Sequence, residues 1–322
     1  MQRTADIQKL SHKYLPTNFV ITDWASLEPF FKELNDRPIP SVEALEAWLT
    51  DLSELEACIS EDACWRQIKM TCDTTDKSLE DAFTFFCMEI QPKMQPYADA
   101  LNKKLIQSPY TALLDQAKYH TYLRSVQKSI ELFRTENIPI QAELSVLQQQ
   151  YGVIAGKMTI EVGGKEYTLQ QAAQFLENED RAFREEVYRK IQTRRLQDQE
   201  AMHDLFTSLI QKRHQVALNA GFENYRDYKF AELGRFDYTK EDCFQFHDAV
   251  KLHVMPLIEK IYTRKKEKLG VDALKPWDLE AEPAGTKPLR PFTDGKDLYE
   301  KSVACFEQID PFFADCLRKM NE

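Results

Sequence analysis

Glycine is scarce in this chain, at 9 of 322 residues, and runs of Val and Ile are few. A large sheet would lack both its turn residues and its β-branched strands, so the composition points towards helix. Long apolar runs are missing as well. No stretch approaches the roughly 18 residues that a spanning helix needs, and the opening MQRTADIQKLSH has no apolar core of leader length. A soluble cytoplasmic protein without membrane contact is expected. The 7 Cys, at positions 58, 64, 72, 87, 243, 305 and 316, include no C-x-x-C pair, which argues against a disulfide framework or zinc finger and for reduced thiols. G-x-G-x-x-G, G-x-x-x-x-G-K-[ST] and G-x-S-x-G are all absent, so nothing supports a phosphate-cradling loop or a nucleophile elbow. Positive charge is in deficit, 42 Lys and Arg against 52 Asp and Glu, for a net charge of -10 and a pI near 5.3. That overall field disfavours nucleic acid and anionic membranes as partners.

What is present is a mainly α pattern with one hairpin. Apolar residues make up 43% of the chain, enough for a sizeable core and about two domain-sized units. After an irregular stretch over 14–24, Ser26 is expected to cap a helix through Leu27, Phe30, Phe31 and Leu34, which Pro38 and Pro40 end. Ser41 opens a second helix through Leu45, Trp48, Leu49, Leu52 and Leu55, and a third is expected across Cys64, Trp65, Ile68 and Met70. Helical spacing continues from Lys77 to about Phe133, with breaks expected at Pro92, Pro96 and Pro109 and another at Pro139. MTIEV, Gly163-Gly164 and KEYTL then read as a β-hairpin near 158–169, followed at once by a Thr168/Gln171 capping box. One long helix is expected from Asp180 to about Asn219, with a core stripe of Leu205, Leu209, Val216 and Ala217. Another opens at Thr239 and Asp242 and closes at Gly270, with Pro256 as a kink or break. Residues 276–292 read as a Pro-rich connector or short edge strand, and Leu298–Phe306 as the last helical stretch.

Few residues stand out as chemical. The carboxylate pairs Glu179-Asp180 and Glu185-Glu186 lie among Arg and Lys, which reads as a solvated, salt-bridged face. The basic run Arg264–Lys268 falls in the last turn of a helix, where cations complement the dipole. One segment, Phe222 to Tyr238, is dense in aromatics. Its Tyr225, Tyr228, Arg235 and Tyr238 form the candidate substrate-binding set, able to stack on a peptide and hydrogen-bond its backbone. Packing of the same rings between two helices is the competing role.

The stretch from Leu218 to Phe292, together with Glu179–Arg184, Pro276-Trp277-Asp278 and Pro288–Phe292, resembles oligoendopeptidase F type zinc metallopeptidases of the thimet oligopeptidase superfamily. The resemblance covers roughly 140 to 322 and is weak before that. It implies a mainly helical fold with two lobes around a channel, and hydrolysis of short peptides by one zinc held in H-E-x-x-H plus a later Glu. None of the six His, at 12, 120, 203, 214, 247 and 253, begins that motif. No catalytic or metal-binding residue is therefore assigned, and zinc is expected in the full-length family enzyme but not in this chain. The expected organisation is a helical amino-terminal lobe with the hairpin over 1–190, and over 191–322 the beginning of the catalytic domain, truncated before the zinc site. On this reading the hairpin is either a surface ribbon or a lip of the channel. The partners are short peptide substrates and a carboxy-terminal catalytic half, which the reading frame past Glu322 is expected to encode. The alternative is a complete, non-catalytic helical protein that binds peptides or acts as a scaffold.

Overall fold

The computed structural model describes residues 12–283 and 289–320. Residues 1–11, read above for a leader, and 284–288, which include Pro288 of the Pro-rich connector, lie outside the described residues, as do 321–322.

Three hydrophobic cores organise the chain. The first gathers α1 (Trp24–Asp36), α2 (Val42–Cys72), α4 (Gln91–Gln107) and the near half of α5 (Gln116–Leu132) around Leu27, Leu34, Leu45, Trp48, Leu55 and Leu101. Trp48 is fully enclosed, and its indole N–H donates to Leu34 O at 2.8 Å. Lys104 of α4 reaches the end of α1 and donates to the carbonyls of Leu34, Asn35 and Arg37 at 2.8, 2.7 and 2.6 Å. A cation thereby satisfies carbonyls that the helix leaves without partners. The incoming chain is fixed by Glu54, whose carboxylate accepts the N–H groups of Lys13, Tyr14 and Leu15.

Several local expectations shift once packing is in place. The cap of α1 is Asp23, which accepts from Ser26 N at 2.9 Å, so Ser26 closes the capping box rather than opening the helix. The second and third expected helices are one, because no Gly or Pro interrupts α2 and its stripe continues through the buried Ile59 and Met70. Pro92 and Pro96 do not end a helix either. α3 (Lys77–Phe85) passes into α4 through a π-helical turn over Phe86–Ile90, in which Gln91 N–H bonds Phe86 O. At Pro256, where a kink or break is expected, the chain takes the same form, with Val250–Val254 π-helical and Met255 N–H bonded to Val250 O. In both places the wider turn sits just ahead of the proline, whose ring has no N–H to donate, and the helix continues through it. Pro139 lies in the first turn of α6 (Asn137–Gly156), where a missing N–H costs nothing. Pro109, after α4, does lie outside helix.

The hairpin is where the alternation placed it. β1 (Thr159–Val162) pairs antiparallel with β2 (Lys165–Thr168), with Val162 opposite Lys165 and Ile160 opposite Tyr167. Gly163 and Gly164 have φ of 61° and 76°, a conformation that demands glycine in a two-residue turn. Met158, Ile160 and Val162 pack on α7 (Leu169–Ala173) and on Val187 and Ile191 of α8 (Arg181–Gln197), which makes the second core. The third core joins the far end of α5 and α6 to α9 (Gln199–Asn219) and α10 (Tyr225–Glu232), through Leu132, Leu144, Leu205, Leu209, Val216 and Tyr228. The expected single helix over 180–219 is thus two, broken at Asp198, where φ is -102° and ψ 13°. The break has a packing cause: α8 faces the hairpin core, α9 faces α6, and a straight rod cannot serve both.

Beyond α10 lie α11 (Lys240–Ala249), the π-helical turn, α12 (Met255–Leu269), a 3-10 turn over Pro276–Asp278, and the pair α13 (Gly295–Ile309) and α14 (Pro311–Met320). The only described sheet is the hairpin, so the edge strand considered over 276–292 does not occur among its described residues. Trp48→Ala removes a fully buried ring and its hydrogen bond, and should cost about 3–5 kcal/mol in urea unfolding; a loss below about 1 kcal/mol would show that the first core does not rest on this ring.

Candidate functional site

The aromatic segment starts where α9 ends. Gly221, at φ 86°, lets Phe222 N–H turn back to Ala217 O at 2.9 Å, and Asn224 then caps α10 through Asp227 N–H at 3.0 Å. Tyr228 is buried in the third core, edge-on to Phe222 at 5.7 Å and stacked with the half-buried Tyr225 at 5.9 Å. Arg235 and Tyr238 are exposed beyond Gly234, with the Arg235 guanidinium 5.0 Å from the Phe230 ring and 6.0 Å from Tyr238. The four candidates therefore form two pairs.

Only Tyr228 of the four lines the neighbouring cavity, about 320 Å³ between α5, the start of α6 and α10, whose other walls include Ser125, Ser129, Gln141, Glu232 and Phe236. The Tyr228 hydroxyl donates to Glu232 Oε1 at 3.4 Å. Burial, and then the nearby Glu232 carboxylate, push this phenol well above its ordinary range, so it stays a neutral donor at any physiological pH. Asn137 at the cavity floor is buried and satisfied, donating to Val216 O at 3.0 Å and accepting from Asn219 Nδ2 at 2.8 Å. The cavity offers hydroxyls, amides and apolar walls together with the charged side chains of Lys128, Arg134 and Glu232, a mixed lining that can bind and orient a polar ligand.

A second constellation escaped the sequence reading. Arg184 continues the buried stripe of Val187 and Ile191 on α8, yet it is charged. Its partner is Asp278, 94 positions away and fully buried: Arg184 Nη2 lies 2.9 Å from Asp278 Oδ1, and Arg181 Nη2 lies 2.8 Å from Oδ2. Arg184 also donates to the carbonyls of Trp277 at 2.9 Å and Asn178 at 2.7 Å, and Lys275 N–H donates to Asp278 Oδ2 at 2.9 Å. Burial alone pushes the Asp278 carboxyl up, but the hydrogen bonds from Arg181, Lys275 N–H and Arg184 prevail and hold it at about 2. An Arg on an apolar helical stripe was the one available signal, because a buried charge requires a partner. The carboxylates read as surface remain so, with Glu185 on Arg189 at 2.6 Å and Glu186 on Lys190 at 2.7 Å.

From Lys240 to Leu269 no residue is buried, although the segment carries Phe244, Phe246, Val254, Met255, Leu257 and Ile261. Val254, Leu257 and Ile261 recur at helical spacing and form an uncovered apolar face. The histidines sit apart: His120 on α5, His203 and His214 on α9, His247 on α11 and His253 in the π-helical turn are all exposed. Among the described residues no three His, Cys, Asp or Glu side chains gather as metal ligands. This donor set does not fit a catalytic zinc, which takes three protein ligands at one point.

Residues 15–133 match the peptidase M3 N-terminal domain, and residues 174–300 match peptidase family M3. The fold is similar to PZ peptidase A with an inhibitor (22% identity, TM-score 0.84, covering 92% of this chain and 52% of that one). It is also similar to a protein designated oligoendopeptidase F, solved at 3.1 Å (23%, 0.87, 94% and 54%). A third likeness is to a protein designated oligoendopeptidase F from Bacillus anthracis str. Ames (19%, 0.86, 94% and 56%). At these identities the likeness is one of fold, and this chain spans little more than half the length of each structure. No curated protein sequence matches it.

Asp278→Asn leaves Arg184 buried without a counter-charge and should cost about 3–5 kcal/mol in urea unfolding at pH 7. Because the folded carboxyl sits at about 2, below its unfolded value near 3.9, its contribution is complete above about pH 4 and fades as pH falls towards 2. The stability gap between wild type and Asp278→Asn should close over that window; a gap independent of pH would exclude the assigned ionisation.

Proposed function

Since this chain belongs to peptidase family M3, we propose that it is the amino-terminal part of a cytoplasmic zinc oligoendopeptidase that hydrolyses short peptides, with its helices walling the substrate channel. The observation that carries this reading is the uncovered apolar face of α11 and α12. A surface helix normally hides such a stripe, and nearly half of each similar structure has no counterpart in this chain to hide it. The zinc ligands and the general base belong to the carboxy-terminal half, since the histidines here do not fit them. No chemical step is assigned to residues of this chain. Among the described residues no helix is long and apolar enough to cross a membrane.

Within that reading, residues 1–190 form the amino-terminal lobe and 191–322 begin the catalytic domain. The Asp278 cluster then ties α8 of the first to the Pro276–Asp278 turn of the second. Tyr225, Tyr228, Arg235 and Tyr238 form the substrate wall. Tyr225 and Tyr228 are braced from behind by the third core, while the Arg235–Tyr238 pair presents a cation and a ring edge to solvent, suited to the backbone and side chains of a short peptide.

The chain alone should leave a quenched-fluorescence nonapeptide uncut with zinc added, and should bind a hydrophobic dye or self-associate. The product of the full reading frame should cut the peptide, lose activity to a chelator and regain it with zinc. In that product Tyr238→Ala should raise KM about tenfold with kcat little changed, as expected for binding made equally in ground and transition states. A full-length product inactive with zinc would overturn the peptidase reading, and a Tyr238→Ala enzyme with unaltered KM would remove this ring from the wall.

A further inference from the structure

The hairpin has a free side. Its two-residue turn makes Val162 and Lys165 exchange both inter-strand hydrogen bonds, and the antiparallel pattern then alternates. Ile160 and Val162 point their N–H and C=O groups at β2, while Thr159 and Glu161 point theirs away. The one outward group with a partner agrees with this, since Glu161 O accepts from Lys190 Nζ at 3.2 Å. Among the described residues neither Thr159 N–H nor Glu161 N–H donates to any backbone or side-chain acceptor.

Beside this edge runs an open groove of about 600 Å³, with Thr159, Ile160 and Glu161 on the strand side and Glu186, Lys190 and Arg194 among its helix side. These helical positions are four residues apart and form one polar face of α8. The side chains that cross the groove are held by exchangeable contacts: Lys190 by Glu186 at 2.7 Å and the Glu161 carbonyl, Arg194 by Asp198 and, at 3.3 Å, the Lys157 carbonyl. The strand itself is anchored, because Ile160 and Val162 are buried in the second core.

We propose that the outer edge of β1 is a docking site for an extended peptide, which adds to the hairpin as a third strand along the groove beside α8. The occupant follows from the donors and acceptors on offer. Outward N–H and C=O groups recur on alternate residues, about 6.8 Å apart, and the partner that meets both at once is another backbone in extended form. Lys190 and Arg194 give way to it, and the polar groove leaves its side chains unselected. This rests on the peptidase reading for the source of the peptide alone, since strand addition needs no zinc and no hydrolysis.

The test is fluorescence anisotropy on the 322-residue chain. The probe is a fluorescein-labelled decapeptide of alternating Thr and Lys, with a second version N-methylated at alternate backbone positions. Glu161→Pro deletes an outward N–H that the ribbon does not use, so the ladder to β2 is kept. Glu161→Gln changes the side chain and leaves the backbone. Wild type and Glu161→Gln should bind the unmethylated peptide alike, Glu161→Pro at least tenfold more weakly with an unchanged melting temperature, and none should bind the methylated one. If Glu161→Pro loosens the fold, the methylated peptide against wild type decides the matter. Equal binding of both peptides, no binding to wild type, or a wild-type dimer in sedimentation that Glu161→Pro dissolves and Glu161→Gln keeps would overturn the proposal. Hydrolysis plays no part in any arm, so the outcome is separable from the fate of the peptidase reading.

Discussion

The Asp278 carboxylate, clasped by Arg181 and Arg184, is the contact on which the second half of the structure depends. Two charges buried together are expensive to desolvate, and apolar residues of the same size would often serve stability as well. What apolar packing would not supply is direction. Arg184 distributes its donors among Asp278, Trp277 O, Asn178 O and Glu179 O, so it fixes the register of a turn 94 positions distant against the first turn of α8. Three hydrophobic cores organise the chain as far as α10, but none reaches α11 or α12. For α11 and α12, position is set by contacts of cationic side chains.

The long helical segment from Lys240 to Leu269 shows the consequence. At its near end, Arg124 of α5 stacks over Phe236 at 4.1 Å and donates to the Phe236 carbonyl at 3.1 Å. At its far end, Lys265 donates to Leu279 O, next to the Asp278 anchor. Within the segment Lys240 pairs with Asp227 at 3.6 Å and Arg226 lies over the Phe244 ring at 5.9 Å, while the face of Val254, Leu257 and Ile261 is left bare. Asp278 is enclosed, whereas the Arg124–Asp237 pair is exposed and screened. The far end is accordingly the firmer of the two.

Features written in a few consecutive residues were legible in the sequence. Ser41, Thr168, Thr239, Gly270 and the Gly163-Gly164 turn each act within four positions of themselves, and each is where the local pattern put it. The errors came where a distant element decided. Nothing local tells Asp198 to break a helix; the break follows from α8 and α9 having different cores to serve. Pro92 and Pro256 were read as interruptions because a missing donor is a local fact, while the π-helical turn ahead of each proline is an accommodation of the whole segment. At the candidate wall, the density of rings could be read but not their separation, with Tyr228 drawn into a core and Tyr238 left in water. The Asp278 cluster had one trace, a charged residue on an apolar stripe, and its partner could be named only once the chain was folded.

A bare apolar helix would be expected to fray or to wander, and α11 with α12 has local reasons to do neither. Thr239 and Asp242 close a reciprocal capping box at one end. At the other, Gly270 takes the left-handed conformation at φ 64°, Val271 N–H returns to Lys266 O at 3.3 Å, and Lys266 and Lys268 lie in the last turn against the helix dipole. The helix is therefore specified by its own ends and needs no cover to form. Its apolar face is presented in a fixed shape before anything covers it. A partner surface that meets it gains the burial of Leu257 and Ile261, about 25 cal/mol for each Å² of apolar area, and is spared most of the ordering cost that a disordered segment would impose on association. The two arginine clamps act to the same end, because they set where that face points without covering any of it.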